Sequence, residues 1–377
     1  MRLIAGVLAV GLMTAPALAQ DNGAAEAARA AADRLAAAGV QLDEAEGARD
    51  RVKALTETIQ AFENGLEAMR DGLRRAAIRE EVLNRELQSR EDEISKLLGV
   101  LQSMGSAPSP VLLLHPSGPV GTARSGMILA DVTPALNTRV SELRDKLQEV
   151  SVLRALQQSA ADRLQQGLDG AQEARTALSK AIADRTDLPQ RFTADPVKTA
   201  LLIASTETLE GFASGLSQIA TEESASTLPD ILDRKGALPL PVKGRILRRA
   251  GEADAAGIAR PGIVMATRPR ALVITPTAAT LRYTGPLLDY GNVTILEPQA
   301  GILLVFAGLD VVYGQAGQVL SAGSPVGLMG GNDPDPGALL PRDGQETATG
   351  QTETLYIEVR QDNTSVDPAE WFKTDEG

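Results

Sequence analysis

The stretch Leu355-Tyr356-Ile357-Glu358-Val359-Arg360 has apolar and polar side chains in strict alternation. A period of two is typical of a half-buried β-strand. The apolar side chains are predicted to face a core, and the polar ones, together with Thr354, the opposite face. The strand leads through Val366-Asp367-Pro368 to Trp371, the only tryptophan of the chain. We therefore expect the chain to end in a β-rich domain that presents a polar strand face.

Composition excludes several classes of function. The chain has 377 residues, enough for two or more domains, and its 49 acidic and 37 basic residues give a net charge of −12. A charge of this sign argues against nucleic acid as a partner. The chain has no cysteine, so disulfides, thiolate zinc sites and cysteine nucleophiles are excluded. His115 is its only histidine, which excludes a metal site built from several histidines and argues against the usual Ser-His triad.

Residues 1–19 have the pattern of a secretory signal peptide. Arg2 supplies the positive charge, Leu3–Met13 the apolar run and Ala17-Leu18-Ala19 the small-residue cleavage site. The alternative is a membrane anchor, but the run is shorter than the roughly 20 apolar residues that span a bilayer. We expect cleavage after about Ala19 and export to the periplasm.

Residues 20–186 are predicted to form a long antiparallel coiled-coil hairpin. Apolar residues recur at alternating intervals of three and four from Val52 to Ala76, and the pattern resumes from Leu83 to Leu101. Glu80 and Arg90 place charges on this seam, where they weaken pairing or set the register. A similar pattern begins at Leu136 and runs to about Ile182.

The tip of the hairpin is predicted at about residues 105–132, where Pro and Gly end the first helix. An apolar run at Val111–Leu114 follows the turn. It indicates either an exposed docking patch or a plug that closes the tip. His115 is interpreted as a turn residue and not as a ligand.

A helical arm and a linker are predicted for residues 187–241, and a β domain for 242–377. The arm helix, Val197–Ile219, carries an apolar stripe that needs a surface to cover, whereas 221–241 has the composition of a flexible link. The stripe consists of Leu201, Leu202, Leu209, Phe212 and Leu216. Strands are predicted at 262–266, 271–274, 280–283, 293–296, 302–306, 326–329 and 355–359.

Several motifs of the last third resemble those of the LytM (M23) zinc peptidases, in the family's order. They are "RPGIVMAT" at Arg260–Thr267, "YTGPLLDYGNVTILE" at Tyr283–Glu297, "LVFAGLD" at Leu304–Asp310, "GQVLSAGSPVGLMG" at Gly317–Gly330 and "LYIEVR…VDPAEWF" from Leu355 to Phe372. With the signal peptide and the hairpin, the whole layout resembles the EnvC-type murein hydrolase activators. The fold class expected is α plus all-β: a long antiparallel coiled-coil hairpin with a helical arm, then a C-terminal LytM-like domain.

The resemblance implies that the peptidase chemistry is lost. The positions of the family's zinc ligands and catalytic histidines hold Arg260, Val264, Gly308, Thr354 and Tyr356. A catalytic zinc needs three protein ligands and an open position. We therefore expect no metal, no cofactor and no enzymatic activity.

The resemblance also implies a partner for each part of the chain. The degenerate groove would bind and activate a peptidoglycan amidase in septal cell-wall splitting, the tip would dock on the periplasmic loop of FtsX in the FtsE–FtsX complex, and the arm would inhibit. The groove residues expected are Arg260, Tyr283, Tyr356, Glu358 and Arg360; the tip residues are Leu97, Leu101, Val111, Leu112, Leu113 and Leu114; the inhibitory arm residues are Leu201, Leu209, Phe212 and Leu216.

Alternatives stay open at this point. The chain could be an active peptidoglycan endopeptidase or a structural spacer of the cell envelope. Glu358 and Arg360 could be a solvated cross-strand pair, and the arm could be permanently packed against the hairpin base. Whether the groove also contacts peptidoglycan is equally open.

Overall fold

A computed structural model describes residues 22–90, 118–185, 188–190, 196–220, 231–254, 257–332 and 353–373, together with residues 92, 95, 96 and 99. The chain divides into two compact units. The described part of the first lies within Met1–Ala68, Gln165–Leu339 and Gly344–Gly377, and that of the second within Met69–Leu164. None of the described helices is long and apolar enough to cross a membrane.

The N-terminal part is helical, as predicted. Helix α1 spans Asn22–Asp43, α2 spans Ala48–Ser89 and α3 spans Gly118–Ala183. The second unit contains the distal part of the α2–α3 pair. Two ion pairs show that the helices run antiparallel: Glu80 pairs with Arg154 at 2.7 Å, and Glu86, further along α2, pairs with Lys146, which comes earlier in α3. The predicted hairpin of two long helices is confirmed.

The seam charge at Glu80 is compensated across the helix pair. Its side chain is 16% exposed and accepts hydrogen bonds from Arg154 Nε at 2.7 Å and Gln157 Nε2 at 2.9 Å. Burial acts to raise the pKa of Glu80, but these hydrogen bonds and the Arg154 charge outweigh it and lower the pKa. Such a pair favours one register of the helices, because a shift would leave the carboxylate without its donors.

The predicted tip falls largely outside the described residues. The residues outside the described part include Leu97, Leu101, Val111–Leu114 and His115. Helix α3 already begins at Gly118 and continues through Pro134, so that the second half of the predicted 105–132 turn is helical. This boundary of the prediction was wrong, since neither Gly118 nor Pro134 prevents the helix.

The C-terminal part is an antiparallel β domain, as predicted. Its strands are β1 Gly244–Arg248, β2 Ile263–Thr267, β3 Leu272–Ile274, β4 Ala279–Pro286, β5 Asn292–Gln299, β6 Ile302–Leu309, β7 Val311–Val312, β8 Val319–Leu320, β9 Pro325–Leu328, β10 Glu353–Gln361 and β11 Thr364–Val366. The large sheet has the order β1-β2-β10-β6-β5-β4-β8, with β11 paired to β10, and the small sheet has the order β3-β9-β7.

Four of these strands were not predicted. β7 and β8 have two residues each, too few for an alternation to be recognised. β1 and β11 are rich in Arg, Thr and Ser and lack apolar residues at every second position. Their pairing depends on the neighbouring strands rather than on their own sequence.

The two faces of β10 behave as its alternation predicts. Leu355, Ile357 and Val359 are buried in the main core of the domain, together with Trp371. Tyr356, which lies between them in sequence, packs on the opposite side of the sheet in a second hydrophobic cluster. The large sheet is therefore covered on both faces.

The predicted single arm helix is two helices, so that prediction was wrong. Helix α4 spans Pro196–Ser205 and α5 spans Leu209–Ala220. The Thr206 hydroxyl donates to the carbonyl of Leu202 at 2.7 Å, and the Thr208 hydroxyl accepts from the backbone N–H of Gly211 at 3.0 Å. Threonines that bond to local backbone in this way end one helix and cap the next.

The predicted flexible link at 221–241 was wrong for its described second half. Ile231 and Leu238 are buried in the main core of the β domain. The backbone N–H groups of Gly236 and Leu238 both donate to the carbonyl of Trp371 at 3.1 Å. The domain therefore begins at about residue 231 and not at 242.

Candidate functional site

The polar face of β10 carries a buried, hydrogen-bonded triad. Tyr356 donates its hydroxyl hydrogen to Glu358 Oε2 at 2.8 Å, and Arg360 Nη1 donates to Glu358 Oε1 at 2.8 Å. The side chains of Glu358 and Arg360 are only 3% and 1% exposed. They belong to one strand, so the alternative of a solvated cross-strand pair is wrong.

Arg360 connects the triad to three further elements. It donates to the Ser365 hydroxyl at 2.9 Å, to the Asn363 carbonyl at 2.6 Å and to the Ser214 hydroxyl of α5 at 3.1 Å. Ser365 in turn donates to Glu358 at 2.7 Å. These donors and the guanidinium compensate the charge of Glu358, which is what allows a carboxylate to be buried at this position.

Tyr356 is held in its protonated, donating form. Burial raises the pKa of its hydroxyl, and the charge and hydrogen bond of Glu358 raise it further, whereas the backbone N–H of Gly262 opposes them. That N–H donates to the hydroxyl oxygen at 3.1 Å. A Cβ at position 262 would lie 2.7 Å from the Tyr356 ring, so this close approach requires glycine.

The arm helix α5 covers this face of the sheet. Leu209, Phe212 and Leu216 are buried against side chains of β4, β5, β6 and β10. The rings of Phe212 and Tyr283 meet edge to face with their centroids 4.8 Å apart, a favourable arrangement for aromatic pairs. The polar side of α5 contributes Ser214 and Glu210, whose carboxylate lies 3.7 Å from Arg360.

Two of the predicted site residues are placed differently. Leu201, predicted on the buried stripe of the arm, is 68% exposed on α4, while Leu202 packs against α5. The break at Thr206 gives α4 its own orientation, so one stripe does not continue through both helices. Arg260 is exposed and precedes β2, and within the described part of the chain no hydrogen bond or ion pair joins its side chain to the triad.

Four of the five positions that the family resemblance matches to zinc ligands and catalytic histidines lie close together; Arg260 is the exception. Val264 of β2 lies opposite Tyr356, and Thr354 lies opposite Ala266. Gly308 has φ +94°, and a Cβ there would lie 2.7 Å from the Thr354 carbonyl oxygen. Val264 has no donor atom and the Tyr356 hydroxyl is bonded to Glu358, so these residues do not fit a zinc ion. Across the described ranges no group of three or more acidic or histidine side chains could hold a metal.

The sequence did not reveal the partners of Arg360. Ser214, Ser365 and Asn363 are small polar residues in segments without a motif, and they meet only because α5 and the β10–β11 turn converge on one guanidinium. Asn363 and Asp362 have positive φ, as expected for a tight two-residue turn. Tyr283 and Tyr356, both expected in the groove, are buried in the same hydrophobic cluster.

Comparison with known proteins finds distant structural similarity for the C-terminal part. No protein-family model matches the chain, and no curated protein does. Csd3 from Helicobacter pylori is 18% identical over 37% of this chain and 36% of its own, with a TM-score of 0.28. A zinc-containing peptidase from Vibrio cholerae is 21% identical over 36% and 40%, with a TM-score of 0.28.

The catalytic domain of lysostaphin, an antimicrobial peptidase from Staphylococcus simulans, is 16% identical over 33% of this chain and 89% of its own, with a TM-score of 0.26. The chain thus spans well under half the length of the first two of these proteins.

Proposed function

We propose that this protein is a non-catalytic activator of peptidoglycan (N-acetylmuramoyl-L-alanine) amidases that acts in the periplasm during septal cell-wall splitting. The amidase binds the face of β10 that carries Tyr356, Glu358 and Arg360. The observation that supports this most is the position of α5, which lies on that face and contacts Arg360. The positions that the resemblance matches to the family's zinc ligands hold no ligand side chains, and the motifs around them resemble those of EnvC-type activators.

The contacts of α5 describe the kind of surface that fits this face. An amphipathic helix supplies three apolar side chains to the sheet, with a hydroxyl and a carboxylate near Arg360. Buried tyrosine and arginine side chains are the residues most often found at the energetic centres of interfaces. An amidase would bind here by presenting a helix of similar pattern after α5 has left.

The arm is therefore inhibitory in this proposal. As long as Phe212 and Leu216 occupy the cluster, no second helix can do so. The sequence-based alternative was permanent packing against the hairpin base, but α5 packs on the sheet instead. Permanent packing of α5 on the sheet predicts that weakening the arm lowers function. The inhibitory role predicts that it raises function, and the two are separated by the sign of the effect.

In this proposal the hairpin tip recruits the protein to the septum. Its binding partner there is the FtsE–FtsX complex. Support comes from the apolar run at Val111–Leu114 and from the family resemblance. Leu113→Asp should abolish septal localisation of the full mature chain without lowering its helical content by circular dichroism. Normal localisation of that variant would mean that the apolar run closes the tip and does not bind a partner.

Two other functions are separated from this one by a single assay. The full mature chain is mixed with purified amidase and isolated murein, with and without chelator, and the zinc content of the chain is measured. The proposal predicts stimulation of the amidase, no murein cleavage by the chain alone and no stoichiometric zinc. An endopeptidase would cleave murein alone and lose activity with chelator, and a structural spacer would stimulate nothing.

The full mature chain is the suitable material for these assays. A fragment from about Leu238 onward would lose α5, but it would also lose the base of the hairpin. That base buries Leu272, Tyr313 and Leu328 of the β domain. Exposure of this apolar surface would alter the domain for a reason unrelated to the arm.

A further inference from the structure

Glu63 is a buried carboxylate of α2 that the proposed function does not use. Its side chain is 14% exposed, and its Oε1 accepts the backbone N–H of Leu272, the first residue of β3, at 3.0 Å. Burial raises the pKa of the Glu63 carboxyl, and the charge of Arg175 on α3 opposes this at an N–O distance of 3.6 Å. Helix α2 is thus bonded directly to the backbone of the β domain.

The surroundings of Glu63 are a tightly packed joint. Val52, Leu55 and Ile59 of α2 and Leu178 of α3 are buried together with Leu272 and Leu328. The hydroxyl groups of Ser179 and Tyr313 lie 2.9 Å apart across the same contact. The first unit therefore includes the hairpin base as a component of its core.

Charges extend this joint to the strands next to the candidate site. Glu67, one turn after Glu63, lies 3.5 Å from Arg268, which follows β2, and 4.0 Å from Lys243, which precedes β1. Only residues 268–271 separate the end of β2 from Leu272. The hairpin base therefore contacts the start of β1, the end of β2 and the β2–β3 turn at adjacent points.

Strand β2 leads from this turn to the candidate site. It pairs with β10 from Thr267 opposite Glu353 to Val264 opposite Tyr356. Val264 packs at the margin of the cluster that α5 covers. A displacement of the β2–β3 turn would thus be carried along a hydrogen-bonded ladder to the residues beneath the arm.

We propose that Glu63 is a positioning residue for the candidate site, which holds the β2–β3 turn on the hairpin base and so couples the position of α2 and α3 to the docking of α5. The hydrogen bond to Leu272 is the specific link. The coupling is between the hairpin base and the docking of α5. It rests on the proposed function only for the claim that this docking controls amidase binding. Its measurement needs no amidase.

The test is amide hydrogen exchange of the full mature chain, in wild type, Glu63→Ala and Glu63→Gln. Glu63→Ala should raise the exchange rate of the Leu272 amide at least tenfold and also raise that of α5 amides around Phe212. Glu63→Gln keeps an acceptor oxygen and should restore both rates towards wild type. Glu57→Ala is the matched control, because the Glu57 side chain is 39% exposed on the same helix and forms an ion pair with the exposed Lys53.

Four outcomes would overturn the proposal. Faster exchange at Leu272 with unchanged α5 would make Glu63 a local clamp. An equal increase at core amides such as Leu304 of β6 would mean global destabilisation rather than coupling. Equal effects of the Ala and Gln variants at α5 would exclude the hydrogen bond as the link, and an effect of Glu57→Ala would remove its specificity.

Discussion

Removing the Phe212 ring should release the arm without unfolding the β domain. Phe212 is fully buried between α5 and the sheet and makes an edge-to-face contact with Tyr283. Substitution of a buried phenylalanine by alanine costs about 3–5 kcal/mol. Because the ring stabilises only the docked arm, this energy is lost from the equilibrium between docked and released α5.

The expected effect is large enough to measure. At about 1.4 kcal/mol per factor of ten, the lower figure of about 3 kcal/mol increases the released fraction roughly 100-fold. The upper figure of about 5 kcal/mol is reached only if the neighbouring side chains cannot fill the cavity left by the Phe212 ring. We therefore expect an increase of about two orders of magnitude in any signal proportional to release of the arm.

Thiol labelling can report this release, since the chain has no cysteine and hence no background. Ala307→Cys places a thiol in the cluster beneath α5, and Ala279→Cys places one in the main core. Phe212→Ala should increase the labelling rate at position 307 about 100-fold and leave that at position 279 unchanged. Leu201→Ala, on the exposed face of α4, is the control.

Two results would refute this reasoning. Equal labelling rates at position 307 in Phe212→Ala and Leu201→Ala would show that the Phe212 contacts do not hold the arm. A parallel increase at position 279 would show that the arm cannot leave without unfolding of the domain. In that case α5 is part of the core and not a removable cover.

Tyr356→Phe removes a donor from the buried Glu358 and should lower the free energy of unfolding by about 1–3 kcal/mol in denaturant titration; no loss would show that the other donors suffice. Because the pKa of Tyr356 is raised in the folded state, its contribution to stability is present below its ordinary pKa of 10.0 and is lost as the pH rises above it. The stability difference between wild type and Tyr356→Phe should then shrink above that pH, and a constant difference would contradict the assignment. Gly308→Ala should destabilise the domain by about 1–3 kcal/mol, given its positive φ and the nearby Thr354 carbonyl; Gly39→Ala, in open space on α1, is the control, and equal Tm values for the two variants would contradict this.

The structure also changes how Arg360 should be tested. Arg360→Ala would test the binding role of Arg360 cleanly only if the domain stayed folded. Arg360 is the ion-pair partner of the buried Glu358, so its removal leaves a buried charge uncompensated and costs about 3–5 kcal/mol. Arg360→Lys keeps the charge and loses the fork of donors that reaches Ser214 and Asn363, which makes it the cleaner variant.

Sequence patterns predicted what depends on local periodicity. The period of two placed Leu355, Ile357 and Val359 in the core and Tyr356 on the opposite face, and the alternation of three and four residues predicted the long helices. The break between α4 and α5 was missed because it depends on the hydroxyl groups of Thr206 and Thr208. The burial of Ile231 was missed because the residues before it resemble a linker.

The buried network at the candidate site was predicted only in part. Alternation placed Tyr356, Glu358 and Arg360 on one face, but it could not show that they would be bonded to one another and covered by α5. That outcome depends on contacts between residues far apart in sequence, such as Arg360 with Ser214. The joint at Glu63 was missed for the same reason, since a glutamate on a coiled-coil helix gives no sign of an acceptor for the Leu272 amide.

Competition between the arm and the amidase for one face of β10 is tested most directly by amidase stimulation. The full mature chain is compared with and without a weakened arm. Phe212→Asp combined with Leu216→Asp places two carboxylates in the apolar cluster and should release α5. We expect stronger stimulation at equal protein concentration than with wild type, and unchanged stimulation with the exposed Leu201→Asp. Unchanged or weaker stimulation by the folded double variant would contradict the claim that the arm and the amidase compete for one face of β10.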